Sequence, residues 1–392
     1  MKDAAKQFLG LLGAIAFALH GVAAWVRGPR RQPEQSEVRG ILVVRLDLMG
    51  DVVFSIPAIE ALAERFPEAR IDALVLPYAA DLLSGHPALR SIYQLDVNRY
   101  RRPAGWRRVG SLLATIRHLR AQRYDVAVGL SGLMGGVFAA VSGARWTVGY
   151  AAETYHGCYN LPVPGRRYEL PQHEVAYCLD LVRSIAPTAA ADAAPRVPRL
   201  QTARVASRDL IAVSPYAVLV PGASNGSAKR WPAPLWARLA DRVSRDLGLR
   251  VVLSGAASEQ GLVQQVMDAM ETTATNVAGA TSVVELVDLL RGAQVVVAGD
   301  TGPLHVAAAL DRPVVGIFGP TDPTNTGPLA TSAVVVRMGL ACSPCYDLRT
   351  PADCKLPDKS IACMWRITPD TVLEAVKEAL AGSAAPATKD SE

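Results

Sequence analysis

From Ile41 onward the chain repeats one pattern: a short apolar run, a turn holding Gly, Asp or Pro, then an amphipathic stretch of helical length. ILVVR is followed by the loop LDLMGD and by a helix-like stretch through Arg65 with an early break expected at Pro57. Similar apolar runs recur at Ile71 to Leu76, Ser91 to Leu95, Asp125 to Leu130 and Arg145 to Tyr150. Short apolar runs separated by helix-length segments argue for a parallel sheet covered on both faces. Between Ile185 and Pro215 the composition turns to Ala, Pro and isolated Arg, too poor in large apolar residues for a core. A second alternating series then begins at Tyr216 with YAVLVPGAS. It continues through helices over Ala233 to Leu247 and Ser258 to Met270, the strands RVVLSGA, QVVVAGD and PVVGIFGP, and a helix starting near Gly302. Thr368, Pro369 and Asp370 read as the cap and first turn of a last helix, with the tail after Gly382 expected to be disordered.

The expected organisation is therefore α/β, with two Rossmann-like doubly wound domains. Residues 1–37 form a hydrophobic helix and linker, 38–190 the first domain, 191–214 a connection, 215–367 the second domain, and 368–392 a C-terminal helix and tail. Ligands of such sheets lie beyond the carboxyl ends of the strands, so the pattern points to two domains facing each other across a cleft.

The segment before the first strand follows another rule. Phe8 to Val26 holds nineteen residues, fifteen of them apolar, enough for a helix to cross a hydrocarbon core of about 30 Å. Arg27, Arg30 and Arg31 weight positive charge toward the rest of the chain, which favours a cytoplasmic body. An anchor or interfacial helix is the favoured reading. A cleaved signal peptide ending near Val22 to Ala24 and a helix packed on the body remain open.

Composition narrows the function classes. Of 392 residues, 41 are Lys or Arg and 36 are Asp or Glu, and the net charge of +5 is too small for a generic nucleic-acid binder. Six Cys are too few for a disulfide-built scaffold. Basic charge is concentrated locally: Arg99, Arg101, Arg102, Arg107, Arg108, Arg117, Arg120 and Arg123 share a stretch without an acid. That stretch suits an anionic acceptor or membrane surface, or is simply a solvated helix face.

Four motifs carry chemistry. In VVVAGDTGPLHVAAAL a buried strand ends at Asp300 and a helix begins near Thr301 and Gly302. Unpaired N–H groups and the helix dipole there suit a phosphate, the alternative being a turn that Asp300 merely caps. His305 lies one turn further on, and a single His is often only structural. PGASNGSAKRWP offers Lys229 on a Gly- and Ser-rich loop but fails the P-loop spacing, and no dinucleotide fingerprint is present. Its lysine is a point charge for an anionic leaving group or part of a solvated turn. In RLDLMGDVVFSIP, Asp51 reads either as a helix cap or as a base for a substrate hydroxyl, with Asp47 close by. Cys342, Cys345, Cys354 and Cys363 give C-x2-C-x8-C-x8-C, a weak zinc pattern because the second pair is not close; free or redox-active thiols are favoured.

Together VVRLDLMGDVVFSIPAIEAL, PGASNGSAKRWP, SGAASEQ and AGDTGPLHVAAALDRPVVGIFGPTDP resemble glycosyltransferase family 9, the lipopolysaccharide heptosyltransferases. The resemblance implies the GT-B architecture, with the acceptor on the first domain and the nucleotide-sugar on the second. It implies Asp51 as general base and Lys229 as the lysine facing the nucleotide phosphates. Glu259 would lie near the ribose, and Asp300, Thr301, Gly302 and His305 in the nucleotide-sugar site. The expected reaction is inverting and metal-independent, from a donor such as ADP-heptose to a lipid-linked saccharide at the cytoplasmic face of the inner membrane, with no resident cofactor. A membrane-tethered binding protein without catalysis and a sugar-nucleotide epimerase are the rival readings. The hydrophobic N-terminal segment is not part of the family pattern.

Overall fold

The computed structural model describes residues 31–96, 106–155, 157–186, 196–202, 215–224, 226–346, 354, 356 and 360–384. The apolar stretch 8–26 lies outside them, and among the described residues no helix is long and apolar enough to cross a membrane. The chain divides into two compact units, 1–196 with 201–203, and 197–200 with 204–392.

In the first unit, β1 (Gly40–Arg45) is buried along its whole length because it is the centre of a parallel sheet. It pairs with β2 (Arg70–Val75) on one side and β4 (Val126–Gly129) on the other, Val43 lying opposite both Ala73 and Val128. The sheet is completed by β3 (Ser91–Gln94), β5 (Trp146–Tyr150) and β6 (Leu161–Val163), in the order 3-2-1-4-5-6. This is the strand order of dinucleotide-binding folds, whose ligand crevice opens where the order reverses, between β1 and β4. The helices that matter for the site are α1 (Met49–Arg65), α2 (Trp106–Ala121), α3 (Gly132–Val141) and α4 (Glu174–Arg183). Leu42, Val44, Leu74, Ala127 and Phe138 fill one core of this unit. Asp72 is buried within β2, where it accepts hydrogen bonds from Tyr124 (2.7 Å) and Arg90 (2.6 Å).

The break expected at Pro57 does not occur. α1 runs through it, at the cost of one backbone hydrogen bond, because Val52 to Ile59 are all buried and the helix lies against α4.

The second unit repeats the plan. Its strands are β7 (Tyr216–Val220), β8 (Arg250–Leu253), β9 (Ala274–Asn276), β10 (Val295–Gly299), β11 (Val314–Phe318) and β12 (Ala333–Arg337). Their order, 12-11-10-7-8-9, is that of the first sheet, with the reversal between β7 and β10. The longer helices are α5 (Ala233–Leu247), α6 (Gln260–Asp268), α7 (Val283–Gly292), α8 (Gly302–Ala309) and α9 (Pro369–Ala384). Trp231 and Trp236 meet edge to face, with centroids 5.1 Å apart, in a core that also holds Val372, Leu373 and Val376 of α9. The C-terminal helix, set apart in the sequence reading, is thus integral to the second unit. Its start is capped as expected, Thr368 Oγ1 accepting from the Thr371 N–H at 3.2 Å.

Candidate functional site

Each unit places polar side chains at the carboxyl end of its sheet, next to the strand reversal.

In the first unit the organising residue is Arg45, the last of β1, which is 1% exposed. A guanidinium so deep must be paired. Its Nη1 donates to the Leu130 carbonyl at the end of β4, so the side chain bridges the two central strands. Nη2 lies 2.8 Å from Glu174 Oε1 and 3.3 Å from Asp51 Oδ1, and Nε lies 3.5 Å from Asp47 Oδ2. Glu174 is fully buried in the first turn of α4, where it also accepts from Arg167 Nη1 at 2.8 Å. Burial opposes its charge, but Arg167 and Arg45 outweigh burial and hold its carboxyl down at about 2. Arg167 continues the network to Glu153 at 3.0 Å.

Asp51 makes the contact that the capping reading expects. Its Oδ2 accepts from the Leu48 N–H at 3.0 Å, which fastens the start of α1, while Oδ1 faces Arg45 and the side chain stays 26% exposed. The cap is therefore real, and the carboxylate that makes it keeps partial contact with solvent. Asp47 differs: burial, only partly offset by Arg45, raises its carboxyl to about 6.

In the second unit the loop after β7 carries Lys229, whose Nζ lies 3.1 Å from Asp300 Oδ2. Asp300 is 8% exposed at the end of β10, and its other oxygen lies 3.3 Å from His305 Nε2. Burial opposes its charge, but Lys229 and His305 hold the carboxyl well below the usual range. Asp300 is therefore not the helix cap: Thr301 occupies the N-cap position, with its hydroxyl on the Gly299 carbonyl at 3.2 Å. α8 then opens on Gly302, and Pro303 has no N–H to offer, so the amides of Thr301 and Gly302 are the donors at this end. Lys229 also lies 5.2 Å from the ring centre of Tyr346. Glu259 accepts from the Ala256 N–H at 2.8 Å and lies so close over Gly222 that a Cβ there would come within 2.1 Å of its carboxylate carbon. The glycine that ends PG in the loop after β7 is needed for that approach.

Arg99, Arg101 and Arg102 lie outside the described residues, as do the side chains of Arg107 and Arg108; Arg117, Arg120 and Arg123 are exposed. Cys342 is exposed, Cys345 and Cys354 are half-buried, and Cys363 is buried beside Gly319. Burial, then the thiols of Cys345, Cys342 and Cys354, push the Cys363 thiol up to about 11. Among the described residues no group of three or more His, Cys, Asp or Glu is placed to hold a metal ion. The sequence reading missed Arg45, Arg167 and Glu174. The one available signal was a charge at the end of the apolar run ILVV, since a strand buried on both faces admits an arginine only where partners await it.

An acid beside a basic clamp in one nucleotide-type unit, with an anion cradle in a second unit of the same plan, suits group transfer from a phosphate-bearing donor. The model of glycosyltransferase family 9 (heptosyltransferase) matches residues 112–356, and the chain belongs to this family of glycosyltransferases. Lipopolysaccharide heptosyltransferase 2 of Escherichia coli K12 is 29% identical over 319 residues, covering 76% of this chain and 88% of that one. Lipopolysaccharide heptosyltransferase 1 of Pseudomonas aeruginosa is 27% identical over 356 residues, covering 85% and 95%. The solved structure of the E. coli ADP-heptose lipopolysaccharide heptosyltransferase II superposes with a TM-score of 0.69 at 26% identity, over 88% of this chain and all of that one.

Proposed function

We propose that this glycosyltransferase moves heptose from ADP-heptose to a lipid-linked saccharide acceptor in lipopolysaccharide core assembly, with inversion and without a catalytic metal. The observation that carries the reading is the Lys229 ammonium held 3.1 Å from the buried Asp300, beside the Thr301 and Gly302 amides that open α8. Those donors suit a diphosphate, which becomes more negative as its bond to the sugar breaks. The names of the relatives supply the sugar and the nucleotide.

In the proposed step, Asp51 takes the proton of the acceptor hydroxyl and the freed oxygen bonds to the anomeric carbon. The bond from that carbon to the diphosphate breaks, with the electron pair leaving on the diphosphate, where Lys229 and the two amides receive the charge. Attack opposite the leaving group inverts the anomeric centre. Asp300 keeps Lys229 and His305 in place, and Glu259 is assigned to the ribose. The first unit would bind the acceptor and the second the donor, so both must serve one pair of substrates. The Arg-rich stretch from Arg99 to Arg108 is assigned to the acceptor's anionic groups or the membrane surface. Residues 8–26, with the three arginines that follow, would hold the enzyme at the cytoplasmic face of the inner membrane.

A thermal-shift series with ADP, UDP, GDP and CMP sugars tests the donor class. Selective stabilisation by ADP-heptose, followed by its turnover with lipopolysaccharide from heptose-deficient cells, is expected. Equal response to all four nucleotides, or to a different one alone, would defeat the donor assignment.

A further inference from the structure

The carboxylate cluster of the first unit holds an acid that the proposed reaction does not yet use. Asp47 lies two residues beyond β1, and its Oδ2 is buried without a hydrogen-bond partner. The nearest cations are Arg45 Nε at 3.5 Å and Arg167 Nη1 at 3.9 Å. Arg45 Nε is itself buried without a hydrogen bond, so the two groups face each other across a gap longer than a hydrogen bond. The same guanidinium carries Asp51 and Glu174 on Nη2. Two arginines thus answer four acids, Asp47, Asp51, Glu153 and Glu174, and the cluster has more carboxylates than cations to neutralise them.

Glu174 is locked by two guanidinium groups and cannot be the acid that retains a proton near neutrality. Asp51 has a backbone N–H on one oxygen. Asp47 Oδ2 has no hydrogen bond, only the two guanidinium groups at longer range. The other groups that act on it are the hydroxyl of Tyr78, which donates to its backbone carbonyl at 3.3 Å, and the ring of Tyr159, buried with its hydroxyl on the Gly129 carbonyl. Neither donates to the carboxylate.

We propose that Asp47 is a positioning residue for the transfer, sharing Arg45 with Asp51 so that the charge state of Asp47 decides how strongly Asp51 can draw a proton from the acceptor. When Asp47 is neutral, the Arg45 guanidinium answers two charged acids, Asp51 and Glu174. When Asp47 is ionised, three carboxylates share that guanidinium, and the proton released by the acceptor is accommodated by Asp47 and Asp51 together rather than by one acid. Pairs of acids with environments that push them apart are the usual means of dividing such roles. Burial of Asp47, only partly offset by Arg45, raises its carboxyl to about 6, so the charge of the pair depends on pH in the range where the reaction can be assayed.

This inference rests on Asp51 as the base, and its test separates the two claims. Steady-state rates of the full chain are measured from pH 5 to 9 with ADP-heptose and lipopolysaccharide from heptose-deficient cells, for wild type, Asp47→Asn, Asp47→Glu and Asp51→Asn. Thermal shift with ADP on each variant reports fold and donor binding. The wild type is expected to lose kcat below about pH 6. Asp47→Asn should lose that acid limb and run about tenfold slower at pH 8, with the donor KM within about twofold. Asp47→Glu should restore the limb. An Asp47→Asn enzyme with the wild-type rate and acid limb, while Asp51→Asn is inactive, overturns this proposal alone. An active Asp51→Asn overturns the base assignment and the proposal with it. A change in ADP binding rather than kcat for Asp47→Asn would also overturn it, by moving the residue's effect to the donor.

Discussion

Asp47 is a place where stability and activity make opposite demands on one carboxyl group. Its folded value lies near 6, above the usual carboxylate range of about 4, so the folded state holds its proton more tightly than the unfolded chain does. The stability this contributes is complete below about pH 4 and is lost as pH rises through about 6. Asn cannot ionise, so Asp47→Asn should be more stable than wild type by about 1–2 kcal/mol at pH 8, the difference vanishing near pH 4. Urea unfolding at the two pH values checks both the size and the sign. Glu174 behaves in the opposite sense: its carboxyl is held down at about 2, so its contribution is present above about pH 4.5 and is lost as pH falls through that lower value. Replacing Glu174 by Ala leaves Arg45 and Arg167 buried without their shared partner, and should cost about 3–5 kcal/mol in the same assay.

The elements explain why these residues are where they are. β1 must be apolar on both faces to lie at the sheet centre, so its polar residue can come only at its end, where the crevice opens beside β4. The Gly and Asp that follow start a helix whose first turn reaches back to the same point. In the second unit, Gly222 has no side chain, so that Glu259 can lie over it. Gly222→Ala should push the carboxylate away while leaving the fold intact, because the obstructing atoms are at the end of a flexible side chain. ADP binding measured by calorimetry is expected to weaken several-fold, with Tm changed by no more than about 2 °C. An unchanged Kd would remove Glu259 from the nucleotide site.

How far the sequence could be read follows from the same elements. The central strands were legible because apolar runs such as ILVV and VVVAG are what a doubly covered sheet requires. The edges were harder. β6 is three residues containing Pro162, and β9 is the polar Ala274–Asn276, so neither carries an apolar signature. β12 has the run AVVV and could have been found from it. Lys229 and Asp300 stand out on their separate loops, but that they form one ion pair depends on chain folding over a separation of 71 positions, and that Thr301 rather than Asp300 caps α8 depends on the backbone angles of one turn. The network around Arg45 was invisible for a like reason, since its partner Glu174 is 129 residues away.

At the scale of the whole molecule, two units share one topology, and the proposed function assigns the acceptor's base to the first and the donor's phosphates to the second. If that division holds, donor binding and proton removal can be lost separately. The direct measurement compares turnover and ADP-induced thermal stabilisation in Asp51→Asn and Lys229→Ala, both in the full chain. The account predicts that Asp51→Asn loses about 10²–10⁴-fold in turnover with its ADP response intact, and that Lys229→Ala loses both. Turnover by Asp51→Asn within tenfold of wild type, or loss of the ADP response in that variant, would contradict it.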